Sequence, residues 1–502
     1  MRATLSVTLI VFVSKAIGFL RDMVQMNYFG TTVQSDAYVN AYGIYFIPIL
    51  LLTSCITSTM MPLYLDADKQ GGAKAANLFG SHCINLFALI SIGISILMFI
   101  FAEPLVRLIC PTYTNEAVAL TVKLTRIMLP SLVFVAISII QATIMNAREK
   151  FIAGQLSGFP YSIVTIVAAV FFSAPFGIEA VAWATAIAGF LQMLVVIPFQ
   201  RGMFSYSPKM NIKDPRIRRM LMLALPSMFS MAVAELNHMI ERSFANGMNV
   251  GDATAMSGAY RLITFIVGIV VVPIVTVMFS RMSKSAAERD TNAISAMLMQ
   301  CVEVICMVLL PIVALGIVYQ LDVIKFAYMR GKFTLAAAEN TAWILAMYLL
   351  GVIFFGLRDL FNRGFHSLQN TRIPLYTSVI TVALNIVFIV IFSKFMGAGG
   401  LALATSCSSA IGCVVLFLLL KKRLGQMHLR QTLIEVGKMM ISALLAMALG
   451  MELNRLVPEA AGTFQVLMRL MICGVPCLIV YVGVLILLKA RQLSFFKGLL
   501  RR

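Results

Sequence analysis

Charged residues are scarce in this sequence: Asp, Glu, Lys and Arg together make up 12% of its 502 residues. Soluble globular domains carry about twice that fraction, roughly 25%. Hydrophobic residues account for 60% of the chain, and apolar stretches long enough to cross a bilayer as a helix recur from end to end. The composition excludes a soluble globular protein and predicts a membrane protein with many transmembrane helices.

Signatures of catalysis are also missing. The four histidines are scattered without metal-ligand spacing, and the common nucleophile, zinc-protease and phosphate-loop motifs do not occur. The nine cysteines form no C-x-x-C pair and lie mostly in apolar stretches, where cysteine is typically a small packing residue. We therefore expect a transporter, without catalytic residues, a metal centre or a cofactor, and not an ATP-driven pump.

Apolar windows predict an all-α polytopic protein with about 14 transmembrane helices. The predicted spans are 5–28, 36–65, 78–101, 117–145, 152–173, 178–199, 217–244, 253–279, 293–319, 336–362, 374–393, 399–420, 432–453 and 465–488.

The net charge of +19 would suggest nucleic acid binding in a soluble protein, but here it follows the topology of the spans. Segments predicted to face the cytoplasm carry roughly four times as many Lys and Arg residues as the outward segments. This asymmetry predicts that both termini are cytoplasmic, and it removes the argument for a nucleic acid partner.

A shift of about 220 residues overlays similar segments of the chain. Residues 35–38 (SDAY) match 257–260 (SGAY), and 180–185 (AVAWAT) match 400–405 (GLALAT). Parallel repeats of this kind are typical of transporters. We expect two six-helix lobes, 1–200 and 216–423, around a central cavity, with two additional transmembrane helices within 430–490. Rocking of the lobes would give alternating access.

Ionisable side chains inside predicted spans indicate a functional site, because an unpaired charge in the bilayer costs several kcal/mol. Lys15 and Arg21 lie in the first span and Arg261 in the eighth. Together they would form a cationic cavity suited to phosphate, since Arg offers a bidentate fork and Lys a compact charge. Asp22 and Asp36 would keep these cations oriented and spaced without a ligand. The alternatives are a local Arg21–Asp22 ion pair and an interfacial anchor at Arg261.

A second group of ionisable residues falls on neighbouring positions of the seventh span. These residues are Glu235, His238, Glu241 and Arg242. Their spacing is compatible with a cation site, and also with ion pairs between this helix and its neighbours.

Several motifs taken together carry a resemblance to a known family. They are 14–22 (SKAIGFLRD), 29–30 (FG), 36–38 (DAY), 124–127 (LTRI) with Pro130 and Asn146, 241–242 (ER), 258–262 (GAYRL), 330–333 (RGKF), 362–365 (NRGF) and 370–374 (NTRIP). The set resembles the MurJ-type lipid II flippases of the MOP (multidrug, oligosaccharidyl-lipid, polysaccharide) exporter superfamily, over roughly residues 5 to 425.

The resemblance implies a flippase of the bacterial inner membrane. Its substrate would be lipid II, the undecaprenyl-pyrophosphate-linked peptidoglycan precursor, moved from the cytoplasmic to the periplasmic leaflet. The family's cavity arginines correspond to Lys15, Arg21 and Arg261, and its cavity acid to Asp36. Some members carry a sodium site, to which Glu241, Asn385 and Thr405 correspond. Membrane lipids and cell-wall synthesis proteins are the further candidate partners.

Two departures from the family pattern leave the carried glycan open. Lys15 stands where the family has arginine, which keeps the charge but loses the fork. The second helix lacks the family's R-R-x-F-x-E-G stretch, and residues 45–50 (YFIPIL) contain no cation. The alternatives are a flippase for a capsule or exopolysaccharide repeat unit, and a drug or cation antiporter on the same scaffold. The antiporter is disfavoured because it would need an acidic cavity.

Overall fold

A computed structural model describes residues 2–492 except 212, 213, 289, 371, 426, 428 and 461. All regular structure in these residues is helical, which confirms the all-α fold class. One of the four histidines, His428, and several of the Lys and Arg residues of the predicted cytoplasmic segments lie outside the described residues: Lys213, Arg289, Lys497, Arg501 and Arg502.

The chain divides into two compact units, residues 1–254 with 331–333 and residues 255–330 with 334–502. The first contains α1 (Arg2–Phe29), α2 (Val33–Ile100), α3 (Ala102–Ile109), α4 (Asn115–Met128), α5 (Ser131–Ala147), α6 (Phe151–Leu156), α7 (Phe159–Val167), a π-helical turn (Ala168–Phe172), α8 (Ser173–Phe176), α9 (Glu179–Gln200) and α10 (Pro215–Asn246). Its core packs mainly α2 against α5, around fully buried side chains such as Tyr64, Phe79 and Phe87.

The second unit holds most of α11 (Asp252–Ala287) and all later helices: α12 (Thr291–Val318), α13 (Gln320–Tyr328), α14 (Leu335–Leu349), α15 (Val352–Ser367), α16 (Arg372–Leu424), α17 (Leu429–Leu456) and α18 (Thr463–Leu487). The last two helices pack into its core through Met439, Ala443 and Tyr481, and the Tyr481 hydroxyl donates to the Met307 carbonyl at 2.8 Å. The lobe boundaries expected from the sequence stay a prediction.

Eight helices in the described part of the chain are long and apolar enough to cross a membrane, or up to ten if each of two bent pairs is one span. The expected number of 14 is therefore not confirmed. Two of the eight, α2 and α16, have 68 and 53 residues, whereas one crossing needs about 20. Their backbone leaves helical geometry at Gly71 and Gly72, and at Gly397. Each is thus long enough for two crossings joined at the break.

The internal repeat is visible in the backbone of the two units. Thr114 caps α4 by accepting from the Ala117 N–H, and Thr334 caps α14 by accepting from the Ala337 N–H, both at 3.3 Å. The helix pairs α4–α5 and α14–α15 each bend by 43°. Gly177 and Gly397 adopt nearly the same left-handed conformation, with φ of 56° and 57°. Matching features recur about 220 residues apart, which supports the duplication inferred from the sequence.

Candidate functional site

Arg21 forms an ion pair with its neighbour in α1. Its Nη2 lies 2.8 Å and its Nε 3.0 Å from the Asp22 Oδ1, and the two side chains are 15% and 8% exposed. A largely buried guanidinium needs such a counter-charge, because desolvation of an unpaired ion is costly. The local Arg21–Asp22 pair considered from the sequence is therefore present.

An aromatic cluster lies beside this pair. The Arg21 guanidinium carbon lies 4.6 Å from the centroid of the Tyr161 ring on α7, a distance at which the cation is attracted to the ring face. Tyr161 stacks on Tyr42 of α2 with centroids 5.8 Å apart. The aromatic cluster consists of Tyr38, Tyr42, Tyr45, Phe46 and Tyr161, because Tyr42 also contacts the three other α2 rings at 5.6 to 6.1 Å.

Hydroxyl groups fix the rings of this aromatic cluster. The Tyr38 hydroxyl lies 3.2 Å from the Thr185 Oγ1 on α9 and 3.5 Å from the Tyr161 hydroxyl. The Tyr45 hydroxyl lies 2.8 Å from the Ser131 Oγ on α5. Five helices, α1, α2, α5, α7 and α9, therefore contribute to one surface that combines a guanidinium, flat aromatic faces and hydroxyl groups. Such a surface can bind a ligand that has both an anionic group and flat apolar faces.

Asp36, on α2, contacts the backbone at the start of α11. Its carboxylate accepts from the backbone N–H of Gly251 at 2.6 Å, from the Thr254 N–H at 2.9 Å and from the Thr254 hydroxyl at 2.6 Å. The side chain is buried. The first N–H groups of a helix lack intrahelical acceptors, so the carboxylate caps this turn from α2.

One turn further along α2, Asn40 forms a hydrogen-bond network with Asn246 and Tyr113. Asn40 Nδ2 donates to the Asn246 Oδ1 at 2.9 Å and to the Tyr113 hydroxyl at 2.8 Å, while Asn246 Nδ2 donates back to the Asn40 Oδ1 at 3.1 Å. Burial raises the pKa of Tyr113, and the nearby Asp36 carboxylate raises it further. The hydroxyl therefore stays protonated and donates to Asn246 at 3.1 Å.

The other two expected cavity cations are in different surroundings. Lys15 is exposed on α1, six positions before Arg21, which places the two side chains about 120° apart around the helix. Arg261 is half-buried in the second unit, on α11, where its carbonyl accepts from the Thr264 hydroxyl at 2.9 Å. A joint role of Lys15, Arg21 and Arg261 stays a prediction.

The ionisable group on α10 forms contacts within its own helix. His238 Nδ1 lies 3.3 Å from Glu241 Oε2, and Arg242 Nη1 lies 3.6 Å from Glu235 Oε1. Arg242 also packs against the bare backbone of Gly43 on α2, where an added Cβ would lie 2.0 Å from Nη1. Within the first unit, therefore, the arginine fits because residue 43 has no side chain.

The three residues of the expected cation site lie in different units. Glu241 is buried in the first unit and accepts from Asn237 Nδ2 at 2.7 Å. Asn385 and Thr405 are buried on α16 in the second unit. Among the described residues, no group of three or more His, Cys, Asp or Glu side chains is placed to hold a metal ion. The sodium site stays a prediction from the resemblance.

The aromatic cluster is the feature that the sequence argument missed. Its signal is present in the sequence, because Tyr38, Tyr42, Tyr45 and Phe46 follow helical spacing and so share one face of a helix. Aromatic residues at this spacing are common in ordinary cores, so the pattern alone does not identify a site. Tyr161 comes from a distant segment, and only the fold shows that it joins them.

The chain has relatives among known families, sequences and solved structures. The family described as "Lipid II flippase MurJ" matches residues 26–472. A protein of Borreliella burgdorferi named "Probable lipid II flippase MurJ" is 24% identical over 478 residues, which cover 94% of each chain. A solved structure titled "Lipid II flippase MurJ, inward closed conformation" has a TM-score of 0.82 and 23% identity, covering 99% of this chain and 100% of that one.

A second solved structure shows how widely the fold is shared. A multidrug resistance MATE family transporter of the MOP superfamily, in an inward-facing conformation, has a TM-score of 0.71 and 15% identity, covering 82% of this chain and 94% of that one. Likeness at these identities shows the fold alone. The choice between substrates depends on the family match and on the chemistry of the site.

Proposed function

The chain belongs to the lipid II flippase MurJ family, and from that premise we propose that it moves lipid II from the cytoplasmic to the periplasmic leaflet of the bacterial inner membrane. The family match covers most of the chain and includes both units. Members of this family are transporters that span the membrane several times. Both termini would be cytoplasmic, as the distribution of Lys and Arg indicates.

The observation that carries this proposal is Arg21 held between Asp22 and the aromatic cluster. Asp22 neutralises the guanidinium while the site is empty, and a diphosphate competes for the same N–H groups, of which guanidinium has five. The aromatic faces offer flat apolar surface beside the cation, against which a sugar ring packs. A lipid-linked sugar diphosphate combines these two features, whereas a cationic drug has no anion that could displace Asp22 from Arg21.

The remaining site residues have proposed supporting roles. Lys15 and Arg261 would add positive charge for the diphosphate as the two lobes, 1–200 and 216–423, alternate in access. Repeats of similar backbone geometry support this scheme, because alternating access requires two comparable bodies. The polyprenyl tail would stay in lipid, beside the two additional helices within 430–490.

Complementation in living cells tests the substrate. The resident lipid II flippase of a bacterium is depleted while this chain is expressed, and survival and lipid II exposure on the outer leaflet are followed. Rescue by the wild-type chain, lost in Arg21→Ala and kept in Arg455→Gln, supports the proposal. Arg455 is a suitable control because its side chain is 77% exposed and forms an ion pair with Glu452 on its own helix. Failure of rescue with confirmed membrane insertion would instead favour another undecaprenyl-linked glycan.

A further inference from the structure

A cavity of about 600 Å³ lies in the first unit. Neither Arg21, Asp22 nor any residue of the aromatic cluster lines it. Helices α2, α3, α4 and α9 border it. Its wall is mainly apolar, with Phe99 and Trp183 both about half-exposed, and three cations border it: Arg107, Lys123 and Arg126. Its volume falls within the range of pockets that bind small molecules.

Two of these cations already have acidic partners. Arg107 Nη2 lies 3.0 Å from the Glu103 Oε1, and Lys123 Nζ lies 2.6 Å from the Glu179 Oε1. These side chains are largely exposed, so the pairs are weak and readily exchange partners. Among the residues that the structure describes, these acids offset two of the three positive charges and leave the cavity with one uncompensated cation.

Arg126 is that cation. Its Nε donates to the Phe99 carbonyl at 3.1 Å, and its guanidinium carbon lies 5.0 Å from the centroid of the Phe99 ring. These two contacts hold the planar group in place on α4. Within the described residues no carboxylate lies within ion-pair distance of Arg126, so the outer N–H groups of the fork remain for an anion.

A second, apolar cavity of about 360 Å³ lies beside the first, and Trp183 lines both. Val167, Phe172, Phe176 and Ile187 form its sides. Its floor consists of buried alanines, Ala168, Ala180 and Ala184, whose small side chains leave a depression between the π-helical turn and α9. The rim of aromatic and aliphatic side chains is exposed, as expected for a surface that faces lipid chains.

We propose that these two neighbouring cavities bind an anionic phospholipid, with its phosphate on Arg126 and an acyl chain that passes Trp183 to lie along the alanine floor. The cation beside an apolar groove matches an amphiphile with one negative charge, and tryptophan is typical of the level where headgroup and chain meet. A zwitterionic lipid carries a cation of its own, which the uncompensated charge of Arg126 disfavours. The site is separate from the proposed transport site, so each can fail without the other.

Native mass spectrometry of the full-length protein in detergent tests the proposal. The probes are phosphatidylglycerol, phosphatidylethanolamine, sn-glycerol 3-phosphate and undecaprenyl phosphate. We expect phosphatidylglycerol to bind more tightly than phosphatidylethanolamine, and sn-glycerol 3-phosphate to show no binding because it lacks a chain. Arg126→Gln should weaken phosphatidylglycerol binding about fivefold, the effect of losing one exposed charge contact. Trp183→Ala should weaken the binding of both phosphatidylglycerol and phosphatidylethanolamine.

The matched control is Arg363→Gln. Arg363 is also an arginine over a phenylalanine ring, 5.6 Å from the Phe279 centroid, but it lines neither cavity. Equal phosphatidylglycerol affinity in the wild type, Arg126→Gln and Arg363→Gln overturns the site. So does binding of sn-glycerol 3-phosphate at the affinity of the lipid, which would make it a free-phosphate site. An Arg126-dependent preference for undecaprenyl phosphate over phosphatidylglycerol would assign the site to a polyprenyl lipid and would also overturn the proposal.

Discussion

The Asp36 carboxylate caps the backbone of Gly251, with the nitrogen and oxygen 2.6 Å apart although the residues are distant in sequence. Two further hydrogen bonds from Thr254 reach the same carboxylate. A buried acid with three donors stabilises the local fold, and this contact accompanies the cavity role that the family resemblance assigns to Asp36.

Loss of this cap should destabilise the protein. Asp36→Ala leaves two buried N–H groups without an acceptor, at a cost of about 1–3 kcal/mol. The apparent Tm in detergent should fall by several degrees, and Asp36→Asn should fall less because its amide oxygen still accepts. Asp66→Ala, at an exposed acid of the same helix, is the control and should leave Tm unchanged. Equal Tm values for Asp36→Ala and Asp66→Ala would contradict the capping role.

Gly43→Ala should displace Arg242. The new Cβ would lie 2.0 Å from the Arg242 Nη1, so the guanidinium must move away from Glu235 or the helices must separate. Overpacking of this kind costs about 1–3 kcal/mol, measurable as a lower apparent Tm. Gly93→Ala is the matched control, since no atom lies within 4 Å of its added Cβ in the same helix. Equal apparent Tm values for Gly43→Ala and Gly93→Ala would show that the position of Arg242 does not require a glycine at residue 43.

The buried Arg469–Asp322 ion pair should fix α18 to α13. Both side chains are under 10% exposed, and Arg469 Nη2 also donates to the Asn454 Oδ1 at 2.7 Å. Asp322→Asn leaves a buried cation without its counter-charge and should cost roughly 3 kcal/mol. Glu452→Gln, which removes the exposed partner of Arg455, should cost less than about 1 kcal/mol. Equal losses of thermal stability in Asp322→Asn and Glu452→Gln would show that the buried ion pair stabilises the protein no more than the exposed one.

Charge alone should not replace the Arg21 fork. Arg21→Lys keeps the positive charge but loses the planar group that contacts Asp22 and Tyr161. Lipid II exposure in depleted cells should fall about tenfold, the effect of one charge-assisted hydrogen bond of roughly 1.5 kcal/mol. Tyr161→Phe keeps the ring and should retain most of the activity, whereas Tyr161→Leu should not. Full activity in both Arg21→Lys and Tyr161→Leu would remove the aromatic cluster from the mechanism.

The fold could largely be predicted from the sequence because lipid imposes a simple rule: a spanning segment must be apolar and helical. The gaps expected at 66–77 and 394–398 contain the breaks at Gly71, Gly72 and Gly397. Hydropathy did not predict the 43° bend at Pro130, because a bent helix has the same composition as a straight one. It also did not predict the π-helical turn at 168–172.

The candidate site was predictable only in part. Embedded charges identified Arg21 and Asp22, because an ion inside a span is costly and therefore conspicuous in a sequence. The partners of Asp36 and Arg242 were not predictable, since Gly251 and Gly43 carry no side chain that would signal a contact. Tyr161 was missed for a similar reason, because its helix is joined to α2 by packing and not by a motif.

The most direct test of the central claim is lipid II movement by the purified chain. Proteoliposomes are loaded with fluorescent lipid II, and the fraction accessible to a membrane-impermeant quencher is followed with wild type, Arg21→Ala and Arg455→Gln at equal protein density. We expect rapid exchange of the label with wild type and Arg455→Gln, and exchange at the protein-free rate with Arg21→Ala. Exchange at the protein-free rate in the wild type, or at the wild-type rate in Arg21→Ala, would contradict the central claim.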